Sequence, residues 1–410
     1  MPTLPFELIE VILDIVAHSD GPGFPSTKTC ALVCYDFHQI CRKHIFASIA
    51  LGPITIGTVQ ATKTNASSAE LHQLLDDTPE IGALIRNLEF CIQSVHLAEH
   101  CILQRTFQKI SHLENLAIDR EDGEFQWNDN SLRPALLHLL QSPTLCHLRL
   151  QNISDFLVAD LFPCVSLRGL AFSAKFTVFD SPDRRMPEGP LRLRRIKVGH
   201  HVESIAKFFS LQCTDQKPFI DLEKLSDLSV GIFSRSDIAH SRLLFSRCKR
   251  LSFARISVST PWMDFTQIGL FEMLLPTVQT LKHLMIEYPY YNKIRDDNPL
   301  TGLTIELEKL KGNYNIEYIT ISVLLPPVLD CMENTESEWR RLDTILTSSA
   351  WSNLRAVSLK IKLLGHPRVD HLELMSLLEK HPATHLPNLS SSKAILFNFS
   401  IHRGSRLAQM

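Results

Sequence analysis

The sequence predicts a mixed α/β protein, in which a small helical headpiece precedes an irregular stack of strand-helix repeats with parallel strands inside and helices outside. Three observations carry this. The pattern apolar-x-x-apolar-x-apolar recurs along the chain, as IRNLEF from Ile85, LENLAI from Leu113, LCHLRL from Leu145, LRGLAF from Leu167, LRRIKV from Leu193, LSDLSV from Leu225, CKRLSF from Cys248, LKHLMI from Leu281, IEYITI from Ile316, LRAVSL from Leu354 and LFNFSI from Leu396. From 85 to 396 the mean period is about 31 residues, in the range of stacked units. Between the recurrences lie segments with helical spacing, SLRPALLHLL, VESIAKFFSL, TQIGLFEMLL, SEWRRLDTIL and DHLELMSLL. Ahead of them, LPFELIEVILDIV and CALVCYDFHQICRKHIFASIAL read as helical stretches parted by the breaker SDGPGFPST.

In the headpiece, Pro5 fits the first turn of a helix, where its missing N–H costs nothing, and Glu7 lies near the positive end of the dipole. Phe6, Leu8, Ile9, Val11, Ile12, Leu13, Ile15 and Val16 leave Glu7, Glu10 and Asp14 as the polar stripe. A helix this apolar needs cover on two sides. The second stretch supplies one, because Phe37, Ile40, Cys41, Ile45 and Ile49 share a face at helical spacing. A unit this small cannot bury the rest, so the remaining apolar face should meet the following domain, a partner protein, or both.

The expected organisation is a headpiece over 1–50, a bridge over 51–83, the repeats over 84–402 and a tail over 403–410. The bridge holds a short strand at Ile54 and Ile56 and a helix around Ala69–Leu75 capped by Ser67 or Ser68. A strand followed by a helix buries its apolar face only by stacking on its neighbours. The repeats resemble leucine-rich repeats, with intervals from 22 residues (Leu145 to Leu167) to 42 (Leu354 to Leu396), and the usual asparagine after the strand is missing from most units. A compact α/β domain with a parallel sheet shares the same local pattern. The loops FDSPDRRMPEGP and EYPYYNKIRDDNP exceed what a regular repeat needs.

Composition narrows the function classes. Hydrophobic content of 44% with 21% charged residues describes a folded chain, and a net charge of −2 encodes no global attraction to nucleic acid or membrane. The ten cysteines have no framework spacing, and Met1 leads into an acidic helix without a basic leader, so a reducing cytosol or nucleus is expected. No phosphate loop, nucleophile elbow, HExxH or CxxC motif occurs, which argues against an enzyme and against a cofactor. The nearest metal candidate is His96 and His100 with Cys91 and Cys101, and it lacks a third ligand at convincing spacing. His200-His201 and Cys146-His147 are weaker. The cluster Arg184, Arg185, Arg192, Arg194 and Arg195 reads as a solvated loop.

Leu4-Pro5-x-Glu7-Leu8-Ile9-x-x-Ile12-Leu13 and Cys30-Ala31-Leu32-Val33-Cys34-x-x-Phe37 resemble the two halves of the F-box, in order and at the N-terminus. Phe37 stands where many members have Trp, and Ile45-Phe46-x-x-Ile49 is similar to the fungal variant. The resemblance covers about one eighth of the chain. It implies a three-helix headpiece docking a Skp-type adaptor, and through it a cullin ligase core, by way of Leu4, Pro5, Leu8, Ile9, Ile12, Leu13, Val33 and Phe37. The repeats would then hold an unidentified protein substrate for ubiquitin transfer, with catalysis left to partners. An interaction scaffold that binds an adaptor, or nothing, and recruits no cullin is the competing reading.

The repeat register places the residues on either side of the second apolar position on the inner strand face. These are His147 and Arg149, Gly169 and Ala171, Arg195 and Lys197, Asp227 and Ser229, Arg250 and Ser252, and His283 and Met285. His147, Arg149, Arg195, Lys197, Arg250 and His283 form a basic stripe suited to an acidic or phosphorylated partner.

Overall fold

Each of the eleven recurrences becomes a parallel strand in the computed structural model of the chain, which describes residues 5–19, 24–52, 64–93, 99–120, 123–128, 130–177, 189–203, 211–214, 216–259, 265–289, 300, 302–312, 315–325, 336–364 and 372–404. The chain divides into two compact units, residues 1–191 with 210–219, and residues 192–209 with 220–410.

The first unit opens with α1 (Phe6–Ser19), α2 (Pro25–Cys30) and α3 (Tyr35–Ile45). Pro25 is the first residue of α2, with Phe24 before it in the left-handed region at φ 55°, so the expected breaker ends three residues sooner than its composition suggests. Leu13, Ile40 and Cys41 form the headpiece core, and Ile9, Cys30, Ala31, Phe37 and Ile45 pack against it. Polar contacts rim this seam, with Lys43 Nζ 2.7 Å from Glu10 and 3.1 Å from Asp14, and His44 Nε2 2.7 Å from Asp14. Helix α3 ends at Ile45. Ile49, expected on its face, lies instead in β1 (Ser48–Leu51), where β-branched and small residues suit an extended, buried strand better than a further helical turn.

After β1 come β2 (Thr64–Ala66), α4 (Ser68–Asp77), β3 (Asn87–Ile92), α5 (His100–Gln108), β4 (Asn115–Arg120), β5 (Phe125–Gln126), α6 (Arg133–Leu140), β6 (His147–Leu157) and β7 (Gly169–Thr177). Ser67 caps α4 in a reciprocal capping box with Glu70. The strand expected at Ile54 and Ile56 lies outside the described residues. In the sheet the order is β2-β1-β3-β4-β6-β7, with β5 paired to β6, and every pairing is parallel.

The second unit runs β8 (Arg195–Val198), β9 (Asp227–Ile232), α7 (Arg235–Ser246), β10 (Phe253–Val258), α8 (Phe265–Ile268), α9 (Leu270–Leu274), β11 (His283–Pro289), α10 (Leu303–Leu310), β12 (Tyr318–Leu325), α11 (Glu336–Leu346), β13 (Ala356–Leu364), α12 (Leu372–His385), α13 (Pro387–Ser391) and β14 (Leu396–Gly404). Its strands pair in parallel and in sequence order from β8 to β14. The helical run TQIGLFEMLL is split at Gly269, whose φ of 63° ends α8 and starts α9. The segment VESIAKFFSL lies largely outside the described residues, as do most of the two long loops.

One device sets the register. At the start of β3, β4, β6, β7 and β9 to β13 two successive N–H groups donate to a single carbonyl of the preceding repeat. Arg86 and Asn87 share the Ala47 oxygen, Cys146 and His147 that of Glu114, Lys282 and His283 that of Ser252, and Arg355 and Ala356 that of Glu317, all at 2.8–3.1 Å. Asparagines add to this ladder from their own side chains, Asn115 donating to Asn87 and Asn87 to the Ala47 carbonyl.

The three apolar positions face the core as predicted: Leu145, Leu148 and Leu150 are buried, as are Leu281, Leu284 and Ile286. Two frames are corrected. In β10 the core positions are Leu251, Ala254 and Ile256, because Phe253 aligns with His283 and Ala254 with Leu284. In β14 Leu396 is 73% exposed and aligns with Ala356, so Phe397 and Phe399 take the places in register with Val357 and Leu359.

His381 on α12 is 4% exposed, with its ring 4.8 Å from Trp339 and 4.5 Å from His385, and neither ring nitrogen finds a hydrogen-bond partner. Burial, and then His385, push its pKa down to about 4. The unfolded chain takes up this proton near pH 6.5, so the contribution is whole above that pH and lost as pH falls toward about 4, on the order of 3 kcal/mol in all. His381→Phe is expected to flatten this acid limb, read from urea midpoints at about pH 7 and about pH 5.

Candidate functional site

Helix α1 is apolar apart from its Glu7, Glu10 and Asp14 stripe, and α3 decides which apolar side is spent. Ile9, Leu13 and Ala17 turn inward, and Leu13 is 3% exposed. Leu8, Val11, Ile12 and Ile15 recur at helical spacing on the opposite side and remain between 49% and 61% exposed. The turn between α2 and α3 adds Leu32, Val33 and Tyr35, all well exposed. Surface aliphatics scattered singly need no explanation, whereas one whole face of a helix does.

Of the residues expected to dock an adaptor, Pro5, Leu8, Ile12 and Val33 are exposed. Leu4 lies outside the described residues. Leu13 is corrected to a core residue, since Ile40 and Cys41 already cover it. Ile9 and Phe37 are partly buried against the same core. Val11, Ile15, Leu32 and Tyr35 were not singled out, although the four-residue step from Leu8 through Ile12 was the signal that could have found Val11 and Ile15.

The strand face tells a different story from the expected basic stripe. His147 and Arg149 lie on β6 in register with Asn115 and Ala117. Arg149 reaches across β4 to an ion pair with Glu89 on β3, and burial draws its pKa down against the pull of Asp119. It is a partly buried structural cation. Arg195 and Lys197 lie on β8, with Arg195 3.8 Å from Asp227. Arg250 precedes β10 altogether, because the strand frame is set by Ala254; the inward-row cation of this repeat is Arg255. His283 sits on β11 between Phe253 at 4.9 Å and Tyr318 at 5.8 Å, with Nε2 3.2 Å from the Thr320 hydroxyl. Burial and the nearby Lys360 lower its pKa, so it adds no proton-borne charge near neutral pH.

A carboxylate centres the same face. Glu287, 8% exposed, accepts from Arg255 Nε at 3.0 Å and from its Nη2, and Lys362 Nζ stands 3.3 Å from the other oxygen. Burial alone would raise its pKa, but Arg255 and Lys362 outweigh it and hold the carboxyl below its ordinary range.

His96 lies outside the described residues, and His100 contacts Cys101 at 3.3 Å on α5. Among the described residues no three His, Cys, Asp or Glu side chains gather where a metal could be held, and no helix is long and apolar enough to cross a membrane.

No family model matches the sequence, and no curated protein does. Among solved structures the chain is similar to the one titled "Crystal structure of Rad7 and Elc1 complex in yeast", at 15% sequence identity and a TM-score of 0.41, over 81% of this chain and 74% of that one.

Proposed function

We propose that this chain is a non-catalytic receptor of a Skp/cullin/F-box-type ubiquitin ligase, whose headpiece docks a Skp-type adaptor while the strand repeats hold the target protein. The observation that carries it is the outer face of α1: Leu8, Val11, Ile12 and Ile15 stay half exposed on a helix whose other side is already covered by α3. The F-box-like residue pattern supplies the identity of the occupant. Fixing this face is the work of the α1–α3 seam, where Leu13 anchors the helix and Lys43 and His44 clamp Glu10 and Asp14.

Half-exposed aliphatics gain about 1–1.5 kcal/mol each on full burial. The double variant Leu8→Ala with Ile12→Ala is therefore expected to weaken adaptor binding by roughly 30- to 150-fold, with the fold unchanged. Titration of a purified Skp-type adaptor onto the full chain measures this. Equal affinity of wild type and double variant removes the F-box reading.

A further inference from the structure

The surface over β11–β13 carries a charge imbalance that its own residues leave open. Arg255, Lys360 and Lys362 stand against one carboxylate, Glu287, a local excess of two positive charges on a chain whose net charge is −2. Both Glu287 oxygens are taken by Arg255 and Lys362. Lys360 aligns with Glu287 across Ser322 and has no ion pair among the described residues. Between the taller rows of β11 and β13, the short side chains Thr320 and Ser322 of β12 make a low floor. The Ser322 side chain is 0% exposed and its hydroxyl has no hydrogen-bond partner, as is true of the Ser358 hydroxyl one strand away. Four residues back along β12, about 13 Å away, Tyr318 is 40% exposed beside His283.

We propose that this face docks an acidic, unphosphorylated segment of a partner protein, with Lys360 and Lys362 receiving its carboxylates and Tyr318 its apolar residue. The two ammonium groups come from alternate positions of one strand, so their backbones lie about 7 Å apart. That spacing matches side chains two residues apart on an extended segment, and it spreads positive charge more widely than a single phosphoryl group presents negative charge. The Arg255 fork, which would grip a phosphate bidentately, is already filled by Glu287. The inference stands on the strand face alone, so a failure of adaptor binding leaves it intact.

The test uses the full chain and a fluorescein-labelled, capped peptide carrying two aspartates two residues apart and a leucine four residues further on, read by anisotropy. Saturable binding is expected, weaker by about tenfold in Lys360→Ala and about a hundredfold in Lys360→Glu, and lost in about 0.5 M salt. Lys249→Ala, which removes an exposed ion pair with Glu223, serves as the matched control and should bind as wild type does. Equal binding of the asparagine version of the peptide, or unchanged affinity in a folded Lys360→Glu chain, overturns the proposal. So does binding of a phosphoserine version where the aspartate version fails, which would make the face a phosphate receptor.

Discussion

Asp160→Ala is expected to lower the unfolding free energy of the first unit by about 2–4 kcal/mol, because it strands a partly buried guanidinium and a buried indole at once. Asp160 is 7% exposed, and its Oδ2 accepts from Trp127 Nε1 at 2.8 Å and from Arg133 Nη2 at 3.0 Å. Trp127 is fully buried, with its ring 4.7 Å from Phe156, which in turn meets Phe176 at 5.6 Å. Loss of the carboxylate therefore loosens an aromatic stack that bridges β6 and β7, as well as an ion pair. Urea unfolding followed by tryptophan fluorescence checks the magnitude. Asp160→Asn, which keeps an acceptor for the indole but no charge for Arg133, should fall between the alanine variant and wild type.

Leu13→Ala is expected to abolish adaptor capture without touching the docking face. Removing a buried leucine side chain costs about 2–5 kcal/mol, and among the described residues the cluster at the centre of the headpiece has Leu13, Ile40 and Cys41 as its buried members. A core that small has no reserve. Limited proteolysis should then cut within residues 5–45 in Leu13→Ala and spare the same region in the double variant Leu8→Ala with Ile12→Ala, although both bind the adaptor less well than wild type. Protease resistance retained in Leu13→Ala would mean that α1 buries a different face.

The repeats were legible because leucine and isoleucine mark three buried positions out of six residues in Leu145–Leu150 or Ile316–Ile321, and a strand needs little more. The frame slipped where that code is thin. Cys248 and Leu251 stand three apart just ahead of β10, Ala254 is small yet fully buried, and Phe253 is a large apolar residue on the row it shares with Arg255, away from the core. At β14, an edge strand, Leu396 has no neighbour beyond it and is free to face out. The cationic stripe was illegible for a different reason. Arg149 and Glu89 are 60 residues apart in sequence and separated by a strand in space, and Glu287 draws on Arg255 and Lys362 from two other strands. Nothing local announces such pairs. On α1 the stripe of Glu7, Glu10 and Asp14 does not decide between the remaining apolar positions; the placement of α3 separates Leu13 from Leu8.

The carbonyl shared at the head of nine of these strands also bears on how such a chain changes over evolutionary time. Alignment is fixed at one point per coil, by two amides that every non-proline residue possesses, so it depends on no particular side chain. Residues gained or lost beyond that point alter the length of a return path without shifting any strand against its neighbour. Sequence drift in the repeats can therefore be fast and their lengths unequal, while the rows of side chains on the sheet stay in step. A surface assembled from successive strands, such as Glu287, Ser322 and Lys360, can in this way be retuned one repeat at a time.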